Sequence, residues 1–265
     1  MDKVKAHEAS YYDTHANRRK DVFNNPKLYV AEYAVDQQRA YFFNKLLRDF
    51  PVSETGLEVG SGEGRWTPRF LERTKNVIGI DISPKILEVA KEFLKSERYK
   101  NITFQLGDAE NLDFENNSFD AVTLIRVIAL LPHPVKAIEE SNRVLKINGH
   151  LVLNAYNGDY MSAKRYYNDL SSNHSKVTIY REKEIVELLN KKGFDVLKIR
   201  YTWSYLDWLV SIFCGRIRKK SGLRFLLLLA RVYYKITYPF NIFLGRFKFF
   251  SFFFREFVIL AKKTS

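Results

Sequence analysis

Cysteine is nearly missing from this 265-residue chain. Cys214 stands alone, which excludes a disulfide framework and fits a reducing compartment. No apolar h-region follows the N-terminal MDKVKAHEASYYD, so no secretory signal is read there and a cytoplasmic location is expected. Long uncharged runs are missing too. Even in the most apolar segment the longest is ten residues, 236–245, against the ~20 that a membrane-crossing helix needs. Acids are scarce in one place: residues 200–255 hold eleven Lys/Arg and a single acid, Asp207, a net of +10. The remainder, with 32 basic and 29 acidic side chains, is close to neutral. The same segment holds 17 of the 40 aromatics, so an anionic partner is expected there.

What is present is globular: 46% hydrophobic and 28% charged residues, enough for one well-buried domain with an insertion. Residues 10–50 read as polar and helical. From residue 55, short apolar runs alternate with amphipathic stretches of helical length. The runs are 55–61, 76–82, 101–108, 119–126 and 150–157, then DVLKIRYTW (195–203) and EFVILAKK (256–263). Helices are predicted at 64–73, 84–97, 135–145 and 181–192, the second opened by Ser83 as N-cap and Pro84 as first residue. Runs with little period-2 alternation imply strands buried on both faces, and the alternation with helices implies a parallel sheet.

The first run ends in LEVGSGEGRW. Glycines at 60, 62 and 64 permit a sharp turn and close approach of backbone to a ligand, with the N–H groups of the next helix facing it. A dinucleotide fingerprint needs glycine where Arg65 stands, and a phosphate-binding P-loop needs Gly-Lys-Ser/Thr, which is absent. Asp81 closes the second run and Asp108 the third, so two carboxylates meet the glycine turn at the carboxyl edge of the sheet. A carboxylate at the Asp81 position can accept both hydroxyls of a ribose.

These stretches resemble the class I S-adenosylmethionine-dependent methyltransferases, in particular the group with the ubiquinone/menaquinone methyltransferase type of core (methyltransferase type 11 group). LEVGSGEG matches that family's first motif, VIGIDIS its second, GDAENLDFENNSFDAV its third and fourth, and LKINGHLVL the approach to strand five. The resemblance covers about 55–203 and 256–263. It implies an α/β, Rossmann-like, doubly wound seven-stranded sheet of order 3-2-1-4-5-7-6 with the last strand antiparallel. A helical, basic-aromatic insertion would precede that strand. Domain bounds follow: an N-terminal helical lid (1–50), the core (51–203 plus 256–265) and the insertion (204–255).

The resemblance also implies roles. Gly60, Ser61 and Gly62 would hold the methionyl part of S-adenosylmethionine, with Glu58 beneath the loop near its ammonium. Asp81 would take the ribose hydroxyls, Ile82 the adenine face, and Asp108 and Ala109 the adenine edge. Ile125, Arg126 and Val127 would face the methionyl end, and Tyr11 or Tyr12 would close over the cofactor. Relatives carry Glu-His where Ala129 and Leu130 stand, so this wall is more apolar here and an acid–base role at those positions is in doubt. His133, Tyr156, Tyr160 and His174 lie near the expected crevice, but no general base is singled out and no metal is implied.

In KSGLRFLLLLARVYYK (220–235), Lys220, Arg224, Arg231 and Lys235 fall within about 60° on a helical wheel, a narrow basic stripe beside a wide apolar face. That pattern suits the headgroup boundary of an anionic membrane. A cap on the domain or a homodimer interface is the alternative, and the run LLLLA argues against nucleic acid. The expectation is a peripheral methyltransferase at the inner membrane face. Its acceptor would be an apolar, lipid-linked or prenylated small molecule; the alternatives are a soluble metabolite, with the insertion as lid or dimer interface, and a non-catalytic cofactor-binding protein, against which the intact glycine motif and both acids argue.

Overall fold

The computed structural model describes residues 3–24, 52–160, 177–204, 243–244 and 246–265. Within the predicted lid, residues 25–50 lie outside the described set, as do 205–242 of the insertion and the candidate His174. Seven strands form one sheet: β1 (Ser53–Val59), β2 (Thr74–Asp81), β3 (Ile102–Leu106), β4 (Phe119–Leu124), β5 (Leu145–Tyr156), β6 (Phe194–Ser204) and β7 (Phe254–Lys263). Their order is β3-β2-β1-β4-β5-β7-β6. Strands β1 to β5 run parallel, and β7 is antiparallel to both neighbours. Topology and strand direction are those expected from the sequence.

Helix α1 (Lys3–Asn24) precedes the first strand, and α2 (Thr67–Leu71), α3 (Pro84–Phe93), α4 (Pro134–Val144) and α5 (Glu182–Lys191) lie between strands. In α3 the Ser83 hydroxyl accepts from the Ile86 N–H at 3.2 Å and Pro84 takes the first position, as predicted. In α5, Ile185 and Leu189 are buried at i and i+4, so one stripe of the helix faces the sheet. The main core lies on that face, from Leu57 and Val122 to Leu153, Phe257 and Ile259. A second cluster around Trp66, Phe70 and Val258 covers the other face. Nine of the ten residues of β7 are buried, which explains a strand with no period-2 pattern.

Three boundaries differ from the sequence reading. The helix expected at 64–73 is only Thr67–Leu71, because Gly64 has φ +75° and residues 60–66 are spent on turns. Strand β5 begins at Leu145, which pairs with Phe119 of β4 ahead of a register shift, and the pairing resumes at His150. Strand β7 begins at Phe254, so Phe254 and Arg255, assigned above to the insertion, are buried core. No helix among the described residues is long and apolar enough to cross a membrane.

Candidate functional site

The carboxyl ends of β1, β2 and β4 open into a cavity lined by Gly60, Ser61, Gly62, Asp81, Ile82 and Arg126, among others. Its shape follows from backbone chemistry at two glycines. Gly60 has φ +70°, and a Cβ there would stand 2.1 Å from Cγ2 of Val127, so only glycine lets β1 turn beneath the end of β4. Gly62 has φ +54°, and a Cβ there would project into open space, leaving its backbone free to be approached. Since α2 has only five residues, the donors here come from the loop and not from a helix N-terminus. The Gly62 N–H donates to Oδ2 of Asp81 at 2.9 Å, and the Ser83 N–H donates to Oδ1 at 3.0 Å. Burial pushes Asp81 up to about 6, against the pull of these two donors and with the charge of Glu63 adding to the rise.

Beneath the loop lies Glu58, buried and outside the cavity lining. Burial pushes its carboxyl up to about 8, against a lowering pull from the Thr67 hydroxyl, and the charges of Glu63 and Asp81 add to the rise. Among the described residues neither its Oε2 nor the Oγ of buried Ser61 has a hydrogen-bond partner. Arg126 lines the cavity at φ +64°, a left-handed conformation that non-glycine residues rarely hold.

The far side of the cavity brings in residues that the sequence reading missed. Lys5 of α1 places its ammonium 2.7 Å from Oδ2 of Asp108 and 2.7 Å from Oε2 of Glu110. Burial opposes the charge on Lys5, but its bonds to the two carboxylates outweigh it and its pKa lies above the ordinary value. Asp108 Oδ1 accepts from the Glu110 N–H at 2.9 Å, and Glu110 Oε1 from the His133 N–H at 2.6 Å. Eight residues further along, near the middle of α1, Asp13 Oδ1 accepts from the Ser83 hydroxyl at 2.5 Å. Helix α1 therefore spans the cavity from the turn after β3 to the turn after β2, and its Glu8 and Tyr12 line the wall. Tyr11 does not line it and packs on Tyr12 and His15.

Ala109, Ile125, Val127, Leu130, Leu131 and Pro132 give the cavity an apolar wall, and Glu63, Arg65 and Trp66 also line it. The His133 ring is exposed at the start of α4. Tyr156, the last residue of β5, and Tyr160, four residues beyond it, are both buried, with Arg255 5.7 Å from the Tyr160 ring centre. None of these three lines the cavity.

S-adenosylmethionine, the cofactor that the resemblance implies, matches this donor and acceptor set. Glu58 and Ser61 offer buried polar atoms without partners, Gly62 leaves room, and each oxygen of Asp81 and Asp108 keeps a second lone pair for a hydroxyl or an amine.

A family profile described as methyltransferase domain matches residues 52–202. The demethylmenaquinone methyltransferase of Staphylococcus aureus (strain MRSA252) is 36% identical over 121 residues, 44% of this chain and 49% of its own. The chain thus spans about half the length of that curated relative. The structure of a SAM-dependent methyltransferase from Thermotoga maritima superimposes with a TM-score of 0.62 at 18% identity, covering 96% of this chain and 99% of that one. Haemonchus contortus phosphoethanolamine N-methyltransferase 2, solved with S-adenosyl-L-methionine, gives a TM-score of 0.59 at 20% identity over 82% of this chain and 50% of that one. At these identities the two structures share the fold.

Proposed function

The chain belongs to the methyltransferase-domain family, and from that premise we propose that it is an S-adenosylmethionine-dependent methyltransferase acting on an apolar, lipid-linked or prenylated small molecule at a membrane surface. The observation that carries the cofactor assignment is one cavity that joins the open glycine turn to Asp81 and Asp108, with the carboxyl of Glu58 buried beneath that turn. A cation next to that carboxyl relieves the cost of burying it, and the cofactor's ammonium is such a cation. In this reading Asp81 holds the ribose and Ile82 packs on the adenine. Asp108 takes the adenine amine with Ala109 beside it, while Gly60, Ser61 and Gly62 hold the methionyl part below Arg126. Helix α1, anchored at Lys5 and Asp13, is the lid that keeps water out, with Tyr12 against the ligand.

The cofactor, when bound, supplies an electrophilic methyl group on a good leaving group. The protein's share of catalysis is then orientation and exclusion of water. A general base matters only for an acceptor with a proton held well above neutral pH. The apolar wall Leu130-Leu131-Pro132 favours an apolar acceptor. The relative named for a demethylmenaquinone substrate makes a quinone precursor the first candidate, and the basic, aromatic insertion favours collecting it at an anionic membrane.

Calorimetry with S-adenosylhomocysteine tests the first half. Asp81→Ala removes an acceptor of charge-assisted hydrogen bonds and should weaken binding on the order of 100-fold, and unchanged affinity removes the assignment. Labelled cofactor incubated with a lipid extract and with soluble metabolites tests the second half. Label is expected in the organic phase, and label confined to water-soluble products refutes the apolar acceptor.

A further inference from the structure

The described end of the insertion exposes an aromatic surface. Phe243, Phe247, Phe249, Phe252 and Phe253 all meet solvent, Phe249 at 79% of its full area, with Arg246 and Lys248 exposed among them. The rings associate with one another: Phe243 and Phe247 lie 5.2 Å apart and Phe252 and Phe253 4.1 Å. Five phenylalanines exposed within eleven residues form a patch of the kind that marks an interaction site.

The backbone beneath these rings is held from inside. Residues Lys248–Phe253 form a 3-10 turn that runs directly into β7. Asn157, buried beyond the end of β5, donates its Nδ2 to the carbonyl oxygens of Ser251 and Phe254 at 2.8 and 2.9 Å, and its backbone N–H to that of Arg255 at 2.8 Å. Lys248 Nζ stands 2.7 Å from Oε1 of Glu182 on α5, and the other oxygen of Glu182 accepts from the Tyr201 hydroxyl. Because β7 is antiparallel to β5, with Tyr156 opposite Glu256, its first residues lie at the carboxyl edge of the sheet. The cavity opens at the same edge.

We propose that residues 243–253 are a wedge whose phenylalanine rings enter the acyl region of an anionic bilayer, and that their attachment to β5 and β7 turns the mouth of the cavity toward the membrane. The inference rests on the membrane reading above and names the element and depth that reading leaves open. Charge selects the occupant: residues 240–255 contain no acid, and the surrounding segment carries a net +10. Phenylalanine lacks the polar tip that holds Trp and Tyr at the interface, so its place is below the headgroups, with Arg246 and Lys248 at the phosphates. An apolar acceptor lying in that leaflet would then reach the cavity without crossing water.

The test compares the full chain with Phe247→Ser/Phe249→Ser on phosphatidylglycerol–phosphatidylcholine vesicles and on phosphatidylcholine alone. A third protein, Cys214→Ser/Phe249→Cys, carries an environment-sensitive fluorophore at residue 249. The double variant should lose vesicle partitioning on the order of 100-fold with thermal melting and S-adenosylhomocysteine affinity unchanged. The fluorophore should shift to the blue on anionic vesicles and be quenched by lipids brominated in the acyl chain. A double variant that binds like the unaltered chain, or a fluorophore that vesicles leave unmoved, overturns the wedge while docking through other basic residues stands. An unaltered chain that binds no vesicle overturns the membrane reading itself. A dimer of the unaltered chain that the double variant converts to a monomer puts a second copy on this face.

Discussion

Residues 58–63 and 243–253 stand at the same edge of one sheet and depart from the ordinary distribution of residues in opposite senses. The first stretch buries polar and charged groups: Glu58 and Ser61 are each less than a tenth exposed. The second exposes five phenylalanines. A buried polar group and an exposed apolar patch are the informative exceptions in a soluble fold, because each is unfavourable until something covers or pairs it. The two stretches therefore call for ligands of opposite character, one compact and polar with a positive group, the other extended and apolar behind a layer of negative charge.

The largest expected effect breaks the first stretch alone. Gly60→Ala adds a Cβ 2.1 Å from Val127 Cγ2 at φ +70°, which should cost about 2–4 kcal/mol of stability and abolish S-adenosylhomocysteine binding. Gly60→Ala/Val127→Ala removes the clash but keeps the left-handed backbone, so part of the loss should persist, about 1 kcal/mol. Gly62→Ala provides the contrast. Its Cβ meets nothing within 4 Å, so melting should change little while affinity falls. Equal melting losses for Gly60→Ala and Gly62→Ala would refute the distinction. In none of these variants should vesicle binding change.

Next in size is a pH effect confined to the buried stretch. Glu58 ionises near 4.5 in the unfolded chain and is pushed up to about 8 in the folded one, chiefly by burial. Between those values the folded chain holds the extra proton, so this group's contribution to stability declines as pH rises from 4.5 to 8 and is constant outside that window. Glu58→Gln cannot ionise. Its melting temperature relative to the unaltered chain should therefore climb across the window, by the equivalent of on the order of 5 kcal/mol, and a gap that does not change with pH would sink the argument. The cofactor's ammonium favours the carboxylate, so binding of S-adenosylhomocysteine near pH 7 should release a proton. Calorimetry in buffers of different ionisation enthalpy reads that proton directly, and Glu58→Gln should abolish it.

Much of this was legible in the sequence because the strands are short, buried runs separated by helices, and two acids of the site stand at the ends of runs. Asp81 and Asp108 could be placed at one edge on that ground alone. Lys5 could not: it reaches Asp108 across 103 positions, and no local periodicity reports such a contact. Glu110 offered a fainter signal, an acid two residues beyond Asp108 on the same turn. The helix after the glycine motif was read too long because the glycines were weighed for ligand approach and not for the chain they consume, and Gly64 at φ +75° delays the helix to Thr67. Phe254 and Arg255 looked like more of the aromatic insertion, since composition does not register that β7 already pairs Phe254 with Ser204.

The smallest expected effect separates charge from aromatic burial within the second stretch. Lys248 is three-quarters exposed, and its bridge to Glu182 at 2.7 Å is a surface contact on the lysine side. Such bridges contribute little, so Lys248→Gln should leave the melting temperature nearly unchanged, within about 1 kcal/mol. At an anionic membrane the same charge acts differently. A lysine near the surface contributes roughly 1 kcal/mol, so vesicle affinity should fall about fivefold at low salt. The deficit should vanish as salt screens the headgroups. The phenylalanine variants should behave in the reverse way, losing binding at every salt concentration. If Lys248→Gln and Phe247→Ser/Phe249→Ser respond to salt alike, the rings act only as spacers for the charges and do not enter the bilayer.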